Sequence, residues 1–213
     1  MQDLRKSFHR DGPDVRRRAL IEATLALISE RGIEAASVRA IAARADVTQG
    51  LIRHYFSSKE ELIAAAYAHH MAGLTEHSFT KDALDETGSA GARLRALVIA
   101  SLTAPVVDPG ALALWAGFMS RVQRDPEMRR IHAEAYTEFQ KRCALLIEAA
   151  LRDVGRDPTP DQIKRLTFAV NALLDGLWLE AGALPEVFEN EDLPQLGLEA
   201  VGAVLRLDLI TAE

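Results

Sequence analysis

The sequence predicts an all-helical chain of about nine helices, and three observations carry that reading. Apolar residues recur three and four positions apart through most of its length, and no stretch keeps the two-residue alternation of a half-buried strand. The breaks between periodic stretches hold helix-start residues: Ser37, Thr48, Ser57, Asp108-Pro109, Asp125-Pro126 and Thr159-Pro160. The composition is rich in Ala, Leu, Glu and Arg, all good helix formers, and 48% of the residues are hydrophobic, enough for a packed core. No internal repeat appears.

Residues 1 to 13 are polar and end in Gly12-Pro13, so they read as a flexible basic arm. Arg5, Lys6 and Arg10 either stay solvated there or reach into a minor groove. A first helix runs from about residue 15 to Arg31, with Leu20, Ala23, Thr24, Leu27 and Ile28 inward and Gly32 as its C-terminal cap. Arg16, Arg17 and Arg18 open it, against the helix dipole; they serve phosphate contact or form a solvated cluster. After residue 57, Ser57 and Glu60 have capping-box spacing for a long helix to about Phe79. Its apolar side carries Leu62, Ile63, Ala66, Tyr67, His70, Met71 and Leu74. His69 and His70 diverge on a helix, and His70 and His77 lie two turns apart, so no metal is expected.

Residues 80 to 90 break the periodicity and read as a loop. A helix to about Thr103 follows, with Leu94, Leu97, Val98, Ser101 and Leu102 inward and Pro105 stopping it. Asp108-Pro109 starts the next. Asp125-Pro126 starts a long one ending near Gly155, and Thr159-Pro160 another to about Ala183. Residues 193 to 209 make the last.

Residues 37 to 59, SVRAIAARADVTQGLIRHYFSSK, read as two short helices joined by a tight turn. Val38, Ile41, Ala42 and Ala45 form the apolar stripe of the first; Val47, Ile52 and Phe56, with Leu51 and Tyr55 partly covered, form that of the second. Ser37 and Thr48 are the N-caps. This is a helix-turn-helix, whose second helix enters a major groove. Packing consumes its apolar residues and leaves Thr48, Gln49, Gly50, Arg53 and His54 outward. Gln49 and Arg53 are the expected base readers, for adenine and guanine respectively. Ser37, Thr48, Tyr55 and Lys59 are expected on phosphates, and Gly50 permits close backbone approach. His54 suits either target, and Arg39 joins the DNA-facing set.

Ile41, Ala42, Ala45, Val47, Thr48, Gly50, Ile52, Tyr55, Phe56, Lys59 and Leu62 stand in register with the pattern I-A-x-x-A-x-V-S/T-x-G-x-I/L-x-x-Y-F-x-x-K-x-x-L. The stretch thereby resembles the DNA-binding domain of TetR-family transcriptional regulators. LIRHYFSSKEEL and the later ALLDGLWL are most similar to the BetI-like branch, whose named members respond to choline. The resemblance implies a DNA-binding head, a ligand-binding body and dimerisation through the last two helices, with the helix after residue 59 linking head to body. Asp46 stands where the family usually has Gly in the turn; Asp tolerates the left-handed backbone such a turn needs. The expected organisation is an arm (1–13), a helix-turn-helix domain (14–58) and a helical ligand-binding and dimerisation domain (59–213).

The body carries a stripe mixing aromatic and polar groups: Trp115, Phe118 and Met119 on one helix, His132, Tyr136, Phe139 and Cys143 on the next, and Asn171, Leu174, Asp175 and Trp178 on a third. Such residues at helical spacing also serve as plain core. Aromatic faces with one acid make a cage for an organic cation, with Asp175 or Glu180 as the acid; this suits choline or a related amine, and a larger apolar or aromatic ligand nearly as well. Ile163, Leu166, Val170, Leu173 and Leu177, with Leu196, Val201, Val204, Leu205 and Leu207, offer a face for a two-fold homodimer.

The net charge of −6 hides an asymmetry. The first 60 residues hold 11 Lys and Arg against 8 Asp and Glu, and the rest hold 14 against 23, as a DNA-binding head on an acidic body would. There is no apolar run long enough to span a bilayer and no signal-peptide stretch. The single cysteine, Cys143, excludes a disulfide framework and fits a cytoplasmic protein. No catalytic triad, His-carboxylate pair or Gly-rich phosphate loop appears, so neither an enzyme nor a cofactor is expected. The reading is a repressor that binds a palindromic double-stranded operator as a dimer and is released by a small molecule. An activator of the same fold is the first alternative; a helical-bundle enzyme and a protein-interaction module are the others.

Overall fold

The computed structural model describes residues 12–188 and 192–212. Arg5, Lys6 and Arg10 of the expected arm lie outside the described residues. The chain divides into two compact units, with the boundary after Ala66.

In the first unit, α1 (Pro13–Arg31) starts at Pro13, two residues before the expected start, because a proline at the first helical position needs no N–H partner. Leu20, Ile21, Ala23, Thr24, Leu27 and Ile28 are its buried face. Gly32, at φ 78°, ends it and donates to the Ile28 carbonyl at 2.8 Å. A 3-10 turn, Ile33–Ala35, buries Ile33 and leads to the fully buried Ala36. Next come α2 (Val38–Arg44) and α3 (Gln49–Tyr55). Ile41 and Ala42 face Ile52 and Phe56 within this small core, whose four members are all 3% exposed or less. Arg44 grips Glu30 with two bonds of 2.6 and 2.5 Å, tying α2 to the end of α1.

Helix α4 (Lys59–Ser78) contains the boundary between the units. Its start corrects the expected capping box by one residue. Ser58 Oγ accepts from the Glu61 amide at 3.0 Å, and Glu61 Oε2 accepts from the Ser57 amide and hydroxyl. With serines at both 57 and 58 and glutamates at both 60 and 61, spacing alone does not choose the register.

The second unit continues with α5 (Lys81–Leu84), α6 (Ala90–Ser101), α7 (Pro109–Val122), α8 (Pro126–Asp153), α9 (Pro160–Ala183), α10 (Pro185–Phe188) and α11 (Leu193–Leu205). Including the first four, eleven α-helices are present among the described residues, with no strand. Both one-turn helices escape periodicity: the stretch expected as a loop at 80–90 contains α5, capped by Thr80 and buried through Ala83. Asp108, Asp125 and Asp192 cap α7, α8 and α11 through their carboxylates, and Thr159 with Gln162 forms a full capping box on α9.

Helix α6 is the centre of the core. Leu94, Leu97 and Val98 are fully buried against Leu146, Ile147 and Leu151 of α8, Val170 of α9, and Val201 and Leu205 of α11. Gly197 lets α11 seat so closely that a Cβ there would lie 2.1 Å from Leu102 Cδ1. The last helix stops at Leu205 rather than 209. Arg206 adopts a left-handed backbone (φ 54°), Leu207 donates to the Gly202 carbonyl, and the chain returns to bury Leu209. The residue that turns the chain is an arginine, so no glycine marks the stop.

The apolar stripe expected to face a partner copy is divided. Ile163, Val170, Val201 and Leu205 belong to the chain's own core, and Leu166, Leu173, Leu177 and Leu207 pack against it. On α9 and α11, the large apolar residues exposed in a single chain are Phe168, Leu179, Leu196 and Val204. No described helix is long and apolar enough to cross a membrane.

Candidate nucleic-acid interface and effector cavity

The two short helices of the first unit are set by their caps. Ser37 Oγ accepts from the Ala40 amide at 3.2 Å, and Thr48 Oγ1 from the Leu51 amide at 3.3 Å. Each hydroxyl uses a lone pair inward and keeps its proton for an acceptor outside. Between the helices, Asp46 takes φ 52°, and the Val47 amide returns to the Ala42 carbonyl at 3.0 Å. The left-handed position expected for Asp46 is therefore present.

Ile52 and Phe56 anchor α3 from one side, at 2% exposure each. On the opposite side Gln49, Gly50, Arg53 and His54 are exposed together with Ser37, Arg39 and Thr48, while Tyr55 and Lys59 are half-buried. His54 packs edge-on to Tyr55. Arg17 stacks over Phe56 at 4.9 Å from the ring centre, so one of the three opening arginines has a packing partner.

The second unit contains a cavity of about 380 Å³. Trp115, His132, Tyr136, Phe139, Asn171, Asp175 and Trp178, all picked out from the sequence, line it. Phe118 and Met119 do not. Phe118 is fully buried and packs on Tyr67 at a ring distance of 4.6 Å, so its side chain faces the interior one turn away from Trp115. Cys143 is also buried in the core, where burial pushes its thiol up to about 12. Glu180 is exposed and outside the lining. The sequence reading missed Met71, Leu74, Thr75 and Ser78 of α4, and Ser101 and Val106. None of these residues is aromatic and Val106 lies outside any helix, so the aromatic-polar spacing that marked the others does not reach them.

Asp175 is the one carboxylate of the lining. Asn171 Nδ2 donates to its Oδ2 at 2.7 Å, the Tyr136 hydroxyl donates to the same oxygen at 3.2 Å, and Asn171 also donates to the Tyr136 oxygen. Both described bonds thus end on Oδ2, which leaves Oδ1 for a ligand. The residue is exposed and lines the cavity. Burial raises the carboxyl pKa, against the lowering by Tyr136, Asn171 and His132. Burial and the nearby carboxylate push the Tyr136 phenol up to about 12. His132 stacks on Tyr136 and is shifted down by burial, partly offset by Asp175, so the neutral ring is favoured. Its Nδ1 is hydrogen-bonded at 2.7 Å to the hydroxyl of the fully buried Tyr67, the direction following the imidazole tautomer.

Two indoles form another wall. Trp115 and Trp178 meet edge to face at 5.7 Å, and Trp178 Nε1 donates to the Val106 carbonyl at 2.8 Å, which fixes its ring. Phe139 packs edge-on to Phe79. Among the described residues no cluster suited to a metal ion occurs.

An exposed helix-turn-helix in one unit and an all-helical second unit with a lined cavity are the parts of a helix-turn-helix regulator of transcription. Known proteins give the family. Residues 20–66 match the family described as bacterial regulatory proteins of the tetR family, and residues 90–206 match the BetI-type transcriptional repressor C-terminal domain. The chain belongs to the TetR family, with a C-terminal domain of BetI type, and is a DNA-binding regulator of transcription rather than an enzyme. It is 30% identical to the HTH-type transcriptional regulator BetI of Escherichia coli over 167 residues, covering 78% of this chain and 82% of that one. To BetI of Paraburkholderia phymatum it is 27% identical over 193 residues, covering 90% and 94%. A transcriptional regulator from Pseudomonas aeruginosa PAO1 superposes with a TM-score of 0.80 at 31% identity, over 94% of this chain and 93% of that one. A Saccharomonospora viridis protein described as a transcriptional regulator and solved in complex with choline shares the fold: TM-score 0.67, 20% identity, 91% and 93% covered.

Proposed function

We propose that this protein is a repressor that binds a palindromic operator as a homodimer and is released by a small organic cation of the choline type. The observation that carries the effector class is Asp175. It is a lone carboxylate with one oxygen uncommitted, in a cavity that also presents the rings of Trp115, Trp178, Tyr136 and Phe139. A cation over an aromatic face gains about 0.5–2 kcal/mol, and a partly desolvated carboxylate adds a charge contact. The choline bound to the Saccharomonospora viridis protein and the BetI kinship support the same class.

On the DNA side, Gln49 and Arg53 read bases in the major groove, from adenine and guanine respectively. Ser37, Arg39, Thr48, Tyr55 and Lys59 position the head on phosphates, Gly50 allows close approach, and His54 meets a base or a phosphate. The helix-turn-helix domain spans residues 14–58, and the ligand-binding and dimerisation domain spans residues 59–213. The exposed Phe168, Leu179, Leu196 and Val204 on α9 and α11 supply apolar surface for a dimer. Two heads then address half-sites about one helical turn, or a multiple of it, apart. A ligand that prefers a body conformation with misspaced heads lowers DNA affinity, and DNA lowers ligand affinity by the same factor.

Selection of bound sites from a random duplex library, followed by salt and choline titrations on the best site, tests this reading. The expected result is a palindromic motif, nanomolar affinity falling steeply with salt, and release by choline. Choline that tightens DNA binding would overturn the repressor-release reading. Recovery of no motif would overturn the assignment of Gln49 and Arg53 as base readers.

A further inference from the structure

Ser101, the last residue of α6, is 6% exposed and lines the cavity, and its hydroxyl has no hydrogen-bond partner. It is the one such hydroxyl among the described residues. Leaving a buried hydroxyl unpaired is unfavourable. A local remedy is common in this chain: Thr24, Thr75, Ser78, Thr103 and Thr167 each donate to the carbonyl four residues back, at 2.8–3.2 Å. Thr75 and Ser78 line the same cavity and are satisfied in this way within α4. Ser101 is not.

Most other polar side chains of the lining are committed. Trp178 donates to Val106, and Tyr136 and Asn171 are bonded to each other and to Asp175. His132 holds Tyr67 through Nδ1 and keeps Nε2. We propose that Ser101 is the second polar anchor of the effector, and that the effector is an organic cation bearing a hydroxyl or carbonyl oxygen that pairs with the Ser101 hydroxyl. This rests on the reading of Asp175 as the seat of the cation. The two anchors come from different helices, α6 and α9, so a ligand that meets both needs two polar features. A plain alkylammonium ion would satisfy Asp175 and leave Ser101 unpaired.

The test is calorimetric titration of the full-length protein with choline and with n-propyltrimethylammonium, in which a methyl group replaces the hydroxyl. Wild type is expected to prefer choline by about 5- to 10-fold, the range of one net hydrogen bond. Ser101→Ala is expected to abolish that preference and keep n-propyltrimethylammonium affinity within about twofold. Its thermal midpoint should stay level or rise, since an unpaired buried hydroxyl is removed. A preference that survives in Ser101→Ala overturns the proposal and points to His132 Nε2. A lowered midpoint with the preference intact marks Ser101 as structural and overturns it equally. The cation reading fails separately if 3,3-dimethylbutan-1-ol, the uncharged isostere of choline, binds as tightly as choline. Absence of binding by either cation overturns both.

Discussion

The outer face of α3 and the wall of the cavity both present polar groups, and they hold them by opposite means. Helix α3 is fixed from behind, by Ile52 and Phe56 at 2% exposure. Gln49, Arg53 and His54 on its other side are exposed, and Gln49 and Arg53 have no described hydrogen bond within the chain. The residues that fold the helix are therefore different from those proposed to read DNA. Around the cavity, Asp175, Tyr136, Asn171, His132 and Tyr67 are linked through one another by hydrogen bonds and ring stacking, with Asn171 and Tyr67 buried and His132 and Tyr136 half-buried. There the same side chains shape the site and stand ready to bind. On α3 binding and stability should separate; in the cavity they should move together.

The largest expected effect tests the separable side. Arg53→Ala should lower operator affinity by about 1–3 kcal/mol, up to on the order of 100-fold, and relax preference at one base position. The thermal midpoint and choline affinity should not change, because the Arg53 side chain is exposed and has no described hydrogen bond or ion pair. Binding-site selection and electrophoretic shift titration with the variant measure the first effect, and thermal denaturation the second. An unchanged operator affinity would remove Arg53 from the reading face. A fall in stability would show that the face also supports the fold, and the contrast with the cavity would weaken.

A smaller effect tests the coupled side. Asp175→Asn should weaken choline by roughly tenfold, since the aromatic rings keep their share of the attraction. It should also change the pH response. Folding raises the Asp175 pKa above the free value of 3.8, so the stability this group contributes is full below that value and lost as pH rises through the raised pKa. His132 shifts down from 6.5. The stability it contributes is full above 6.5 and is lost as pH falls toward its depressed value. A cation needs Asp175 ionised and His132 neutral, so both protonations weaken binding on acidification. Tyr136 and Cys143, each pushed up to about 12, stay neutral throughout. Choline affinity should therefore fall on acidification below pH 6.5, and Asp175→Asn should retain only the part due to His132. A flat wild-type profile would contradict the charge contact.

The same contrast explains what was legible in the sequence. The reading face lies within α3 and its flanks, so helical periodicity alone separates Ile52 and Phe56 from Gln49 and Arg53. The cavity is assembled from α4, α6, α7, α8, α9 and the segment after α6. Periodicity tells which side of each helix is inside, but not whether that interior is packed or hollow. Trp115 and Phe118 are three residues apart on α7; one lines the cavity and the other fills the space beside Tyr67. Helical spacing puts Ser101 inward, yet only the tertiary arrangement shows that its hydroxyl is left unpaired in the wall of a cavity. The one-turn helices α5 and α10 and the stop at Arg206 escaped because each is too short for a helical period to repeat.

The smallest expected effect probes the turn that aims α3. Asp46 is at φ 52°, where a residue with a Cβ is disfavoured and Asp is among the better tolerated. Asp46→Gly removes that strain but loosens the unfolded chain, and the two oppose. The net gain should be below about 1 kcal/mol, and Asp46→Ala should lose about as much. Amide exchange in α2 and α3 resolves shifts of this size within the first unit. Operator affinity should stay within about threefold of wild type in both variants. The Val47 amide still reaches the Ala42 carbonyl, and Ile52 and Phe56 still set the direction of α3. If Asp46→Gly weakened operator binding well beyond that while exchange stayed constant, the turn and not the buried side of α3 would set its aim. Reading and folding would then share a residue on this face as they do around the cavity.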